Sequence, residues 1–434
     1  MTQTLSTTGF TQEAFDQLLA SRDEPTWLTE QRQAAWKTFC EQDLPHQKEE
    51  EWMRTDIRLF KLDKFGIPTD GSGQAATALL DQGVGLGGSG GSVNGVSTGI
   101  QLAQKWADKG VIFCTLEEAA REHGELLKQY LNTAVDPHFD KFSSLHASCW
   151  TSGVFLYVPR GVAVDEPLHV LGTITGGGVD LGHTLIVLEE NAEATLLSEW
   201  ASPEDDDTGL FCGATELIQK ENSHLRFVSL QDWGKGVWHF GHQKGIVARD
   251  ASLQWTVGAL GSRLSKINQH VALTGVGAQS QVNGVMFTEG KQHLSYHTLQ
   301  HHVAGDCRSD FLYKAALQDK SRTVWRGMIK VDPGAQKTDG YQRNDNLLLS
   351  NDSRADAIPG LEIEADDVRC THGSTTGRVD DELIFYAMCR GFTRKEAIRM
   401  IVTGFFQQVF DRVTIESVSE ALGNSVIRRV RDYE

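Results

Sequence analysis

Cys370 and His372 stand two residues apart in Arg369-Cys370-Thr371-His372-Gly373, close to the end of a long stretch of short apolar runs and turn-forming residues. On a β-strand, residues i and i+2 share one face about 6.6 Å apart. A thiolate and an imidazole on one face can bind iron or zinc. Two ligands are too few, because a structural zinc site takes four protein ligands and an iron–sulfur cluster is usually held by four. No other Cys or His lies within ten residues on either side. The pair is therefore inert, or it is half of a site completed by another chain or by a distant loop.

A denser group, His293, His297, His301 and His302, lies upstream. On a helix, steps of four would stack three of these imidazoles about 6 Å apart. On a strand the same step is about 13 Å, too far for two histidines to share one metal ion. The surrounding sequence reads as strand, so separate hydrogen-bonding roles are expected. Asp306, Asp310, Asp332, Asp339 and Asp345 are the candidates for a carboxylate pair of the kind that cuts glycosidic bonds. Their spacings mix odd and even, so they do not all share a strand face. No Gly-x-x-x-x-Gly-Lys-Ser/Thr occurs, and the chain carries no P-loop. Gly83-x-Gly85-x-x-Gly88 matches a dinucleotide fingerprint in letters only, with no clear strand before it and too much glycine after it to start a helix. No nucleotide site is expected on this chain.

The elements that must position these residues fall into five stretches. Residues 1–65 read as helical, with Phe15, Leu18 and Leu19 at helical spacing and a second segment around Ala34, Ala35, Trp36 and Phe39. Residues 66–99 are Gly-rich and read as a flexible loop. Residues 100–150 form a helical or mixed connection, with one helix from about residue 116 to 132. Residues 151–378 have β texture, and turn residues at Asn191, Asn222, Asp250, Gly277 and Gly305 recur every 27–31 positions, then at about half that step. A repeat of this length without internal helices fits a β-solenoid whose units bury their apolar faces on one another. A two-sheet sandwich is the rival. Residues 379–434 turn helical again. Thr393 and Glu396 make a capping box, and Ile398, Ile401, Val402, Phe405, Phe406 and Val409 form a broad apolar stripe behind it. A solenoid has little spare surface for such a stripe, which makes a partner protein a candidate for it.

The bulk numbers limit the partners. Asp and Glu outnumber Lys and Arg by 58 to 41, which argues against binding nucleic acid through phosphate neutralisation. No apolar run reaches the ~18–20 residues of a membrane helix. The N-terminal residues lack a basic start followed by an apolar stretch, so a cytoplasmic location is expected. Seven cysteines at wide spacings, without a Cys-x-x-Cys pair, argue against a disulfide framework or a zinc ribbon.

One set of motifs is specific. Met328-Ile329-Lys330-Val331-Asp332-Pro333-Gly334-Ala335-Gln336-Lys337-Thr338-Asp339 is followed by Gln342 to Ser350, Pro359 to Val368 and Cys370-Thr371-His372-Gly373. Asp381-Glu382, Phe385-Tyr386, Arg390-Gly391 and Glu396-Ala397 complete the set, and Glu51-Trp52 matches near the N-terminus. In these residues the chain resembles the SufB/SufD family of iron–sulfur cluster assembly scaffold proteins, strongest over about residues 320–412. Gly373 after His372, Cys370 before it and no cysteine between Cys307 and Cys370 look SufD-like rather than SufB-like.

The resemblance implies a right-handed parallel β-helix core flanked by helical regions, and a scaffold that is not an enzyme. It implies pairing with a SufB-like subunit through the β-helices, and docking of a SufC-like ATPase on the C-terminal helices, which gives the 398–409 stripe a partner. It also implies a transient iron–sulfur cluster at the interface, with His372 as a ligand shared with the partner chain and Cys370 as the weaker candidate. Flavin use, and a homodimer in the absence of SufB, are left open. The alternatives are a SufB-like sibling and a stand-alone β-helix enzyme acting on polysaccharide.

Overall fold

The computed structural model describes residues 9–431. Its centre is a parallel β-solenoid of about eight turns, with helices at both ends of the chain. Successive strands alternate between two facing sheets, each strand pairing in parallel with the strand one coil earlier and one coil later. The stacking is in register along whole files. Leu225, Leu253, Ser280, Ser309, Gly340 and Cys370 lie directly above one another in one sheet. Such stacking buries every backbone group of an interior strand and lets short apolar strands share one core. Trp255, Phe311, Tyr313 and Trp325 fill that core.

The repeat read from the sequence is one corner of the solenoid. Asn191, Asn222, Asp250 and Gly277 all adopt positive φ there, and each N–H reaches a carbonyl of the next coil, as from Asn222 to Arg249 at 2.8 Å. At the fifth mark the left-handed residue is Asp306 (φ 56°) rather than Gly305. Beyond it both corners are marked, with left-handed Asp319 at the opposite corner and Lys337 at this one. Asn, Asp and Gly tolerate that conformation, which is why they punctuate the sequence.

The N-terminal end of the stack is closed. The Gly-rich segment expected as a loop forms a hairpin, Gly88–Val93 with Val96–Leu102, and its first strand pairs in parallel with Leu168–Thr173. The turn is Asn94-Gly95, both at positive φ, the signature of a type I′ hairpin. A side chain at Gly91 would meet the Leu171 carbonyl oxygen at 2.4 Å, so the glycine permits the strands to close. On the other sheet Ile112–Thr115 runs antiparallel to Gly153–Val158 and ends the stack there. The segment before the hairpin is anchored as well, with buried Glu199 accepting from the backbone N–H groups of Leu79 and Leu80.

The N-terminal helices Gln12–Ala20 and Thr26–Glu41 pack beside helix Lys141–Cys149 on the outside of one sheet. Arg32 is buried there. It is bidentate to Glu24, donates to the carbonyls of Ser148 and Trp150 and lies 3.9 Å over the Trp150 ring. The expected helix over 116–132 is two short ones, Leu116–Glu122 and Gly124–Leu127, the break falling before Gly124. At the other terminus, helices Asp381–Cys389, Arg394–Phe410 and Glu416–Arg429 lie along the outside of the second sheet.

The open end of the solenoid

The last coil consists of strands Arg354–Ile363 and Val368–Arg378, the outermost members of their sheets. Nothing among the described residues covers them. Cys370 stacks on Gly340 and His372 on Gln342. Gln342 is fully buried and donates to the carbonyls of Gly327 and Gly360, so its file points into the solenoid. Cys370 and His372 therefore continue two interior files to an end where the interior is open. His372 is exposed and makes no hydrogen bond or ion pair among the described residues. Cys370 is half-buried against Ile329, Val331 and Ala335, and this burial pushes its thiol pKa up. From the facing strand, Leu361 and Ile363 stack over the buried interior residue Ile329 and the buried Val331, yet are themselves 37% and 40% exposed. The end is thus a section through the core with a thiol and an imidazole in it.

Among the described residues no three Cys, His, Asp or Glu side chains converge as a metal would require. Cys370 and His372 fit a soft or borderline metal as two donors and remain half of a site. The four upstream histidines lie on one strand, His293–His302; three of them have separate partners, and His293 Nε2 is buried without one. His297 Nδ1 meets Glu51 at 2.7 Å, His301 Nε2 meets Asp332 at 2.9 Å, and His302 Nε2 meets Ser309 at 2.8 Å. The candidate acids are dispersed likewise: Asp310 pairs with Arg412, Asp339 with Arg308, Asp345 with Arg343 and Lys314, and Asp306 lies 4.0 Å from Lys337. Carboxylates each tied to their own base do not form the facing acid pair that glycosidic cleavage needs. All seven cysteines are free thiols.

The apolar stripe of the C-terminal region is placed differently from the expectation. Helix Arg394–Phe410 starts with the expected capping box, Thr393 accepting from the Glu396 N–H and Glu396 from the Thr393 N–H. Ile398, Val402, Phe406 and Val409 are buried within the chain, packed with Val285, Phe287, Leu312 and Ala316 on the outer face of the sheet. Ile401 and Phe405 are partly buried in the same cluster, and Lys314 donates to the Phe405 carbonyl across the joint. The outward-facing positions of those strands are apolar, so the solenoid does have surface to spare for the helix. Four of the six residues of the stripe are thus buried against the sheet, while Ile401 and Phe405 keep partial exposure.

The exposed apolar surface lies just before them, on helix Asp381–Cys389 and the turn after it. Leu383, Phe385, Tyr386, Met388 and Phe392 are exposed, Phe385 at 68%, and Met400 adds to them. Large apolar side chains gathered on one small helical unit mark an interaction surface. The motif set contained Phe385-Tyr386, but without a partner or a fold nothing showed which helical face stays outside.

Comparison with known proteins agrees with this architecture. Residues 172–405, more than half of the chain, match the family described as "SUF system FeS cluster assembly, SufBD core domain", and residues 91–170 match the "SufBD protein N-terminal region". The Glu51-Trp52 segment lies outside both matches. The chain is 29% identical over 337 residues to the iron–sulfur cluster assembly protein SufD of Bacillus subtilis, covering 76% of this chain and 77% of that one. It is 25% identical over 437 residues to an iron–sulfur cluster assembly SufBD family protein of Staphylococcus epidermidis, covering 95% and 91%. A SufBD family protein of Staphylococcus saprophyticus is 29% identical over 320 residues, covering 74% and 69%. A parallel solenoid capped at one end and open at the other, carrying these motifs in its last coils, thus belongs to the SufBD family of iron–sulfur cluster assembly proteins.

Proposed function

We propose that this chain is a SufD-type scaffold subunit, without catalytic residues of its own, whose open end pairs with the equivalent end of a SufB-like subunit. The observation that carries this reading is the uncapped last coil. An exposed strand edge and an exposed section of core are satisfied together when a second solenoid continues the stack. In that arrangement His372, exposed and unpaired, becomes one ligand for a nascent iron–sulfur cluster, and the partner chain supplies the ligands this chain lacks. The imidazole serves in its neutral form, with the nitrogen facing the metal deprotonated. Cys370 is the weaker participant, since its raised thiol pKa reduces the thiolate that a metal requires.

A SufC-like ATPase is assigned to the exposed face of Leu383, Phe385, Tyr386 and Met388, and ATP hydrolysis to that partner. The helix Arg394–Phe410 then acts as a rigid strut. Its buried stripe fixes it to the sheet, so a push on the outer helix reaches the solenoid.

The test is co-purification with SufB-like and SufC-like subunits, followed by anaerobic cluster reconstitution, for wild type and His372→Ala. The expected result is an intact complex in both, with cluster built by the wild type alone. Equal reconstitution would remove His372 from the site, and absence of a complex would remove the subunit assignment.

A further inference from the structure

On the outer face of the sheet that carries the N-terminal helices, and reaching Glu362 on the last coil, lies a cleft of about 410 Å³. Its floor is one register row, Lys244, His270, Leu299 and Met328, on four adjacent strands. With strands about 4.8 Å apart, the row is about 14 Å long. It is polar at one end and apolar at the other.

Both rims are fixed. Buried Glu216 accepts from the N–H groups of Asn132, Ala134 and Val135 at 2.7, 2.6 and 2.9 Å, and is itself held by His183 at 3.0 Å. This clamps the rim that carries Asp136 and Phe139, whose ring stands exposed at the mouth. The other rim is Glu51, tied to Arg326 and His297. The cations Arg326 and Lys330 are thus spent on Glu51 and Glu362.

Lys244 and His270 are different. Neither makes a hydrogen bond or ion pair among the described residues, and His270 Nε2 is buried without a partner. Half-burial lowers the Lys244 pKa, and burial holds the His270 ring neutral, at about 3. A ring nitrogen buried without a partner, beside a half-exposed ammonium and apolar surface, favours a ligand that supplies hydrogen-bonding groups here.

We propose that this cleft binds a small organic monocarboxylate with an apolar body, its two oxygens on Lys244 and His270 and its body along Leu299 and Met328 beneath Phe139. With Arg326 and Lys330 already paired to Glu51 and Glu362, the row offers the one ammonium of Lys244, which matches a single negative charge better than a multiply charged phosphate.

Octanoate is the probe, titrated calorimetrically into the full chain. Saturable binding is expected, at least tenfold weaker for Lys244→Met and for Leu299→Asp, unchanged for Lys37→Met on an exposed helix face outside the cleft, and at least tenfold weaker for neutral octanamide. In wild-type protein labelled at the methionine methyls, the Met328 resonance, assigned with Met328→Leu, shifts in step with the titration. That measurement does not depend on the folding of the Lys244 and Leu299 variants. Absence of saturable binding, equal binding of octanamide, equal binding by a folded Lys244→Met, or a static Met328 resonance overturns the proposal.

Discussion

Lys266 is a lysine whose packing works against its charge. Its side chain is only 2% exposed, its ammonium donates to Asn268 at 2.9 Å and lies 5.6 Å over the Trp52 ring, and its nearest carboxylate, Glu51, is 3.8 Å away. Burial pulls its pKa down to about 7, against the attraction of Glu51. Between that value and about 10.5 the unfolded chain holds a proton that the folded chain has released, so the Lys266 contribution to stability rises with pH across this window. Burial-raised acids such as Cys114 and Tyr130, both at about 12, act in the opposite direction at alkaline pH. The difference between wild type and Lys266→Met isolates the lysine. Urea midpoints at about pH 6.5 and about pH 9.5 are expected to show the variant ahead at the lower pH and its lead shrinking at the higher. A lead that is constant with pH would mean the ammonium stays charged. At this scale the shared strand face of Cys370 and His372 was legible, because spacing two on a strand is a geometric statement. Lys266 was not, since a lysine in a strand reads as solvent-facing until the segment around Trp52 is seen to cover it.

The helices at the C-terminus divide their labour in a way that hydrophobic periodicity alone cannot resolve. Periodicity identifies the face of Arg394–Phe410 that is buried, and the capping box fixes where the helix starts; both were readable. What lies against the face is set by the outward positions of strands a hundred residues earlier, and Leu312 and Ala316 do not announce that they face outward. The Gly-rich segment failed for a related reason. Its glycines suggested mobility, whereas Asn94-Gly95 was a turn signal and the neighbouring glycines make room for close strands. Two substitutions separate the helical roles. Phe406→Ala removes a ring buried between helix and sheet, at an expected cost of about 3–5 kcal/mol in urea unfolding. Phe385→Asp removes an exposed ring, so a melting temperature within about 1 °C of wild type is expected, consistent with small effects at exposed sites. It is also expected to abolish capture of the SufC-like subunit. If Phe385→Asp retained that subunit, the exposed helix would not be its dock.

For the whole molecule, the decisive feature is the difference between its two ends. The 27–31 residue repeat announces stacking, but a period carries no information about which terminal coil is covered. The hairpin and the antiparallel strand cover the first coil, and the last coil presents Leu361 and Ile363 at positions whose counterparts one coil earlier, Ile329 and Val331, are fully buried. Apolar side chains at core positions without a next coil favour association, and unpaired strand edges offer the hydrogen bonds to direct it. In the absence of other subunits the isolated chain is therefore expected to self-associate through this end, with a mass by light scattering that rises toward twice the monomer as concentration increases. Leu361→Asp with Ile363→Asp places two charges in that section of core and is expected to hold the chain monomeric. The helical docking face lies on separate elements, so capture of the SufC-like subunit is expected to survive. Phe385→Asp provides the reciprocal control, predicted to lose the ATPase subunit while still self-associating. A double variant that dimerises as the wild type does would show that association uses another surface, and the open end would then lose its claim on the partner scaffold as well.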